Sequence, residues 1–165
     1  MSEDEVWIDI LKKTALADNA CYSAGIASFE DCVVNTAAHV DKPGIFYDAI
    51  YKEGYSVEDK DTGKSVEIVE GATIKSCFET KSSPTGVYIG GAKYTFISYD
   101  KLDSTDGKHS FEAIILARPK GGAHLIRTPN DSVVIGLHEE TRGQDKTNSR
   151  LACIKLAEYL ADNDM

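Results

Sequence analysis

The chain has 165 residues, 42% of them apolar, and a formal net charge of −9. Such a length supports one compact unit with its own core, and the acidic balance excludes general nucleic-acid binding, which needs clustered Lys and Arg against phosphate. No run approaches the roughly 20 consecutive apolar residues that span a bilayer, and the acidic opening MSEDEVW is unlike a secretory leader, so a cytoplasmic, non-membrane-spanning single domain over 1–165 is expected.

In chain order, Val6, Trp7, Ile10, Leu11 and Thr14 recur at helical spacing behind an acidic first turn, which predicts a short amphipathic N-terminal helix. Residues 21–28 and 32–38 are runs of small and β-branched residues around Phe29-Glu30-Asp31, the pattern of two strands and a turn. Pro43-Gly44 breaks the chain, and Ile45, Phe46, Ala49 and Ile50 predict a second short helix before Gly54. In 55–69 two polar, β-prone runs, YSVED and SVEIV, flank Lys60-Asp61-Thr62-Gly63, whose Asp and Gly suit a hairpin turn. Few of their side chains suit a core, so a projecting β-hairpin arm is expected. Residues 72–78 predict another short helix, ended by the polar loop 81–85.

Four strand-like runs follow: 86–97 with an interruption at Gly90-Gly91, then 111–117, 124–127 and 133–138. Turn signals at Asp106-Gly107, Gly121-Gly122 and Pro129-Asn130 separate them and predict an antiparallel meander. Over 145–162 the period is helical again, with Ala152, Cys153, Leu156, Ala157 and Leu160 on one face. An α+β architecture, with terminal helices covering an antiparallel sheet, is the simplest way to bury these stripes.

Residue types that carry chemistry are present but not clustered. Cys21, Cys32, Cys77 and Cys153 form no CxxC pair and have no neighbouring histidine, which fits reduced, buried thiols better than a zinc site or a disulfide framework. His39, His109, His124 and His138 match no metal or triad spacing. The Gly-Gly pairs lie between strands, where no helix N-terminus can cradle a phosphate, and Glu139-Glu140 reads as a solvated turn. No enzyme, metal or cofactor is expected. A small-ligand receptor or enzyme on the same shell would need a titratable cluster in a deep apolar pocket, and none is visible.

Charge is unevenly spread. Residues 86–150 hold nine Lys or Arg against eight Asp or Glu, while the remainder holds nine against nineteen. Residues 113–130 contain no carboxylate side chain but include Arg118, Lys120 and Arg127. A basic strip on an acidic protein suits an acidic partner surface.

The strings GVYIGGAKYTFIS, KGGAHLIRTPNDSVVIGLHEE, QDKTNSR and AEYL, in that order over 86–160, together resemble the profilin family. YKEGY, GGAHL, QDKTNSR and the 55–69 hairpin are similar to its apicomplexan branch, in which a β-arm is added. The resemblance implies a profilin-like central antiparallel sheet, with N- and C-terminal helices on one face and short helices on the other. It implies a monomeric, non-enzymatic protein that binds monomeric actin, sequesters or delivers it, and so regulates filament assembly in the cytoskeleton and in motility. It also implies binding to proline-rich segments of formin-like nucleators. The alternative is a proline-rich-motif adaptor with little actin binding.

Carried onto this chain, the actin face falls on Lys93, Thr95, Phe96, Arg118, Lys120, Leu125, Lys146, Asn148 and Arg150. The poly-proline groove falls on Trp7, Ile10, Asn35, Tyr159, Leu160 and Met165. Ile10, Asn35 and Met165 stand where aromatic rings are frequent in the family. Contact of the arm with actin is a further expectation, and phosphoinositide binding is expected to be weak at most on so acidic a chain.

Overall fold

The computed structural model describes residues 2–165. Helix α1 (Glu3–Lys13) begins where Ser2 Oγ accepts a hydrogen bond from the Glu5 amide, and its acidic first turn and basic last turn both complement the helix dipole. A 3₁₀ turn at Ala17–Asn19 leads into β1 (Ser23–Ser28), which turns back into β2 (Val34–His39).

The helix expected at 45–50 does not form. The Phe46 amide donates to the Ala37 carbonyl and Tyr47 Oη donates to the Asn35 carbonyl, so this stretch is held extended beside β2. Only the amides of Ile50 and Tyr51 turn back, both to the Tyr47 carbonyl. That single turn buries Ile50 without a helix.

Strands β3 (Tyr55–Glu58) and β4 (Ser65–Ile68) pair antiparallel as a separate two-stranded sheet. Helix α2 (Glu70–Thr80) follows, then β5 (Val87–Ile89) and the long β6 (Ala92–Asp103). Strands β7 (Ser110–Arg118), β8 (Gly121–Arg127) and β9 (Ser132–Glu139) complete the meander, and α3 (Lys146–Asp162) closes the chain. Asp145 caps α3 by accepting from the Asn148 amide.

The main sheet has seven strands in the order β2-β1-β9-β8-β7-β6-β5, all neighbours antiparallel. Gly121-Gly122 is not the turn between β7 and β8. Pro119 and Lys120 make that turn, with Lys120 at φ 60, and both glycines lie inside β8. Their lack of a side chain is used for close approach, since a Cβ on Gly122 would strike the Leu116 carbonyl and the His138 ring.

Alternation along the strands feeds two cores. On one face α1 and α3 cover Ala24, Ile26, Ala38, Phe111, Ala113, Ile126 and Val134, contributing Leu11, Cys153, Leu156 and Leu160. On the other, α2 and Ile50 cover Val34, Ile114, Leu116, Leu125, Val133, Ile135 and Leu137. Strands β8 and β9 are therefore buried on both sides, and their burial is continuous instead of alternating.

Glu70, at the first position of α2, is 1% exposed. Its Oε1 accepts from the amides of Lys52 and Gly90, and its Oε2 from the amide of Gly91 and from Tyr55 Oη. The two glycine amides reach it because Gly90 and Gly91 turn at φ 59 and φ 84, in the left-handed region where a Cβ is strained. One carboxylate thus ties α2 to the base of β3 and to the β5–β6 turn. Burial and the Glu70 carboxylate hold the Tyr55 phenol protonated well above its usual range. Glu70→Ala strands three amide donors, and urea unfolding should show a loss of about 3–5 kcal/mol; a change under about 1 kcal/mol would mean that water replaces the carboxylate.

Candidate actin-binding face

The expected basic strip is best located through strand register. Thr95 pairs with Ala117, Ala117 with Gly122, and Gly122 with His138, so these four stand in one row on the face that carries α3. Ser98, Ile115, His124 and Gly136 form the next row. A bulge between Phe96 and Ser98 sets Ile97 beside Ser98 opposite Ile115, and leaves Ile97 53% exposed. Lys146 and Arg150 lie one turn apart at the start of α3.

Not every residue assigned to this strip reaches it. Leu125 is fully buried in the α2-side core, so its side chain offers a partner nothing. Phe96 points toward the same core and is half-buried. Arg118 pairs across to Gly121 and Glu139 and points away from α3: its Nη2 donates to Tyr22 Oη at 3.1 Å, and Glu139 lies 3.9 Å off. Its guanidinium also sits over the Tyr94 ring. Arg127 and Arg142 are engaged as well, with Glu112 and Asp131, and with Asp41 and Glu139. Among the described residues, Lys93, Lys120, Lys146 and Arg150 make no ion pair, and with Thr95, Asn148 and Ile97 they define the accessible part of the face.

Beneath the start of α3, His124 and His138 stack with ring centroids 5.4 Å apart. Both are buried, and His124 Nε2, His138 Nδ1 and Arg150 Nε have no partner among the described residues. Burial, followed by repulsion from His138 where that ring takes up a proton and from the Arg150 and Lys146 cations, lowers His124 from 6.5 to about 3. Burial also lowers His138, against the pull of Asp145 and Glu140. Both rings are neutral in the fold at neutral pH.

The residues assigned to the poly-proline groove lie on and around the terminal helices. Trp7 and Ile10 on α1 are half-buried against the core that α1 shares with α3. Tyr159 is 37% exposed on α3, whereas Leu160 is fully buried and belongs to the core. Asn35 is exposed on β2, its carbonyl taken by Tyr47 Oη. Met165 is exposed, with its amide donating to the Leu160 carbonyl and its carbonyl accepting from Thr128 Oγ1. A surface groove of about 330 Å³ between the end of α1 and the outer side of α3 is lined by Thr14, Ala17, Leu151, Lys155 and others, not by Trp7 or Tyr159.

A profilin family model matches residues 5–165. The chain belongs to the profilin family. It is 34% identical to the profilins of two isolates of Plasmodium falciparum, over 99% of both chains in each case. It is also 34% identical to the Plasmodium berghei profilin, over 98% of this chain and 96% of that one, in line with the apicomplexan character of its motifs. Membership places it among non-enzymatic, actin-binding regulators. No helix among the described residues is long and apolar enough to cross a membrane.

The family motifs did not single out Ile97 or the histidine pair. A bulge leaves no mark in a period-two pattern until the partner strand is known, and two histidines fourteen positions apart meet only through the β8–β9 register. A groove of about 600 Å³ on the α2 side, lined by Val33, Val34, Tyr47, Asp48, Tyr51, Lys52 and Glu53, includes none of the sequence-assigned residues.

The histidine pair carries a pH prediction. Because the folded pKa of His124 lies below its unfolded value of 6.5, the unfolded chain takes up its proton first as pH falls. This contribution is complete above 6.5 and is lost progressively down to about 3, with a slope of up to about 1.4 kcal/mol per pH unit. Urea unfolding between pH 7 and 4 should show a shallower loss in His124→Gln than in the native chain; equal slopes would mean that the ring is protonated in the fold.

Proposed function

We propose that this chain binds monomeric actin through the face formed by Thr95, Ile97 and the unpaired cations Lys93, Lys120, Lys146 and Arg150. We further propose that it brings the bound monomer to growing filament ends by engaging proline-rich segments of formin-like nucleators through α1 and α3. The observation that carries the first part is the coincidence, on one face, of the unpaired cations with an exposed isoleucine on an otherwise acidic protein. Cations steer the encounter with an acidic surface, and the apolar contact slows release. The protein works in the cytoplasm, and phosphoinositide binding is a minor property at most.

The proline-rich reading rests on Trp7 and Tyr159, aromatic side chains on the two terminal helices that share one core. A polyproline II ligand has little entropy left to lose and presents flat ring faces for stacking. Arg118 is assigned a supporting role, because it holds Tyr22 and Glu139 rather than facing the strip.

Two titrations test this reading. With actin monomers, Lys120→Glu combined with Lys146→Glu should weaken affinity about tenfold or more, which corresponds to about 1.4 kcal/mol, while peptide binding is retained. No binding of the folded native chain at tens of micromolar would end the actin reading. With a proline-rich peptide, Trp7 emission should change, and Trp7→Ala should abolish binding; an unchanged spectrum would remove the second surface and leave the first standing.

A further inference from the structure

Cys21 and Cys153 meet where α3 crosses the sheet. Cys21 lies just before β1 and Cys153 on the inner side of α3; both are fully buried, with their sulfurs 3.9 Å apart. Room for two sulfurs comes from the strand below. Gly136 occupies the middle of β9, where a Cβ would collide with Cys153 Sγ and stand 3.1 Å from Cys21 Sγ. Ser149, one turn before Cys153, places its Oγ 3.0 Å from Cys21 Sγ. Hydrogen bonds from Cys153 and Ser149 lower the Cys21 pKa despite burial, and the same sulfur contact pushes Cys153 up. Cys32 and Cys77 differ: burial pushes each to about 12. Neither makes a sulfur–sulfur contact among the described residues.

We propose that Cys21 and Cys153 form a redox modification site that closes to an intramolecular disulfide in the folded protein when hydrogen peroxide is present. The Cys21 thiolate attacks the O–O bond, becoming a sulfenic acid while the departing hydroxide takes a proton and leaves as water. The Cys153 sulfur then attacks the Cys21 sulfur and displaces the sulfenic hydroxyl, which leaves as a second water with the Cys153 proton. In sum, two thiols are oxidised by two electrons and one peroxide is reduced to two waters. The sulfurs must approach by roughly 2 Å to reach bonding distance, a movement that side-chain rotation and a small shift of α3 supply. Because both thiols are covered, the reaction proceeds through local opening and is slower than at an exposed thiol. The bond pins α3, with Lys146 and Arg150 in its first turns, to the start of β1.

The test treats the reduced, folded chain with hydrogen peroxide, then unfolds it in iodoacetamide and maps its peptides without reductant. Expected are a linked pair of peptides containing Cys21 and Cys153, alkylation of Cys32 and Cys77, and a thermal midpoint that rises on oxidation and falls back with dithiothreitol. Cys153→Ala should lose the link and Cys32→Ala should keep it; the native peptide map decides alone should the first variant fold poorly. Full alkylation of all four cysteines, a link through Cys32 or Cys77, an oxygenated Cys21 without a link, or linkage only in denaturant would each overturn the proposal.

Discussion

The carboxylate of Glu70 gathers four donors from two other stretches of chain, and the α2 half of the molecule is arranged around it. Removing a charge from water costs several kcal/mol, so such a group persists only where its lone pairs are filled with good geometry. Here the donors come mainly from the backbone, which no side-chain substitution can supply or remove. The requirement runs in both directions. The amides reach the carboxylate only if Gly90 and Gly91 turn in the left-handed region, and the β5–β6 turn approaches Ala49 so closely that a Cβ on Gly90 would strike its carbonyl. The small sheet of β3 and β4 is anchored at this point through Tyr55, with Lys52 Nζ 4.7 Å from the centre of its ring.

That anchoring bears on the division of labour between the two faces. The α2 side adds one buried carboxylate to its apolar core, whereas the α1–α3 side rests mainly on apolar packing, with hydrogen bonds to Glu158, Asp162 and Met165 at the far end of α3. The strip beside α3 inherits its shape from that packing. His124, His138 and Gly136 lie under the helix, and each leaves it little freedom: two rings must stack and a glycine must stay bare for the helix to sit where it does.

How much of this was legible in the sequence depended on whether the deciding interaction was local. The terminal helices were readable because their stripes and caps sit within a few residues: Ser2 with Glu5, and Asp145 with Asn148. The meander was readable because β-prone runs are separated by turn residues, although β6 runs on through the polar residues 98–103 beyond the run that the sequence marks. The segment 45–50 misled because its spacing is helical, yet hydrogen bonds to Asn35 and Ala37 hold it extended. Gly121-Gly122 misled for the opposite reason, since glycines that look like a turn serve the approach of His138. At the candidate site, residue type marks Lys93, Arg118 and Lys120 as cationic, but the face that a strand residue such as Lys93 or Arg118 occupies depends on register with its partner strand. Arg118 and Leu125 lie on the opposite face of their strands from Ala117 and His124.

The accessible cations of the candidate face stand out against a chain whose net charge is −9. The surplus negative charge lies mainly in the first half of the chain and in the tail, whereas Lys93, Lys120, Lys146 and Arg150 come from β6, the β7–β8 turn and the start of α3. Such a body turns in the field of an approaching charged surface before it touches, presenting that face and holding the rest away. The same net charge that keeps copies of the chain apart also orients each one, so dissolved salt alters how often a collision begins well aligned more than how long a finished contact lasts.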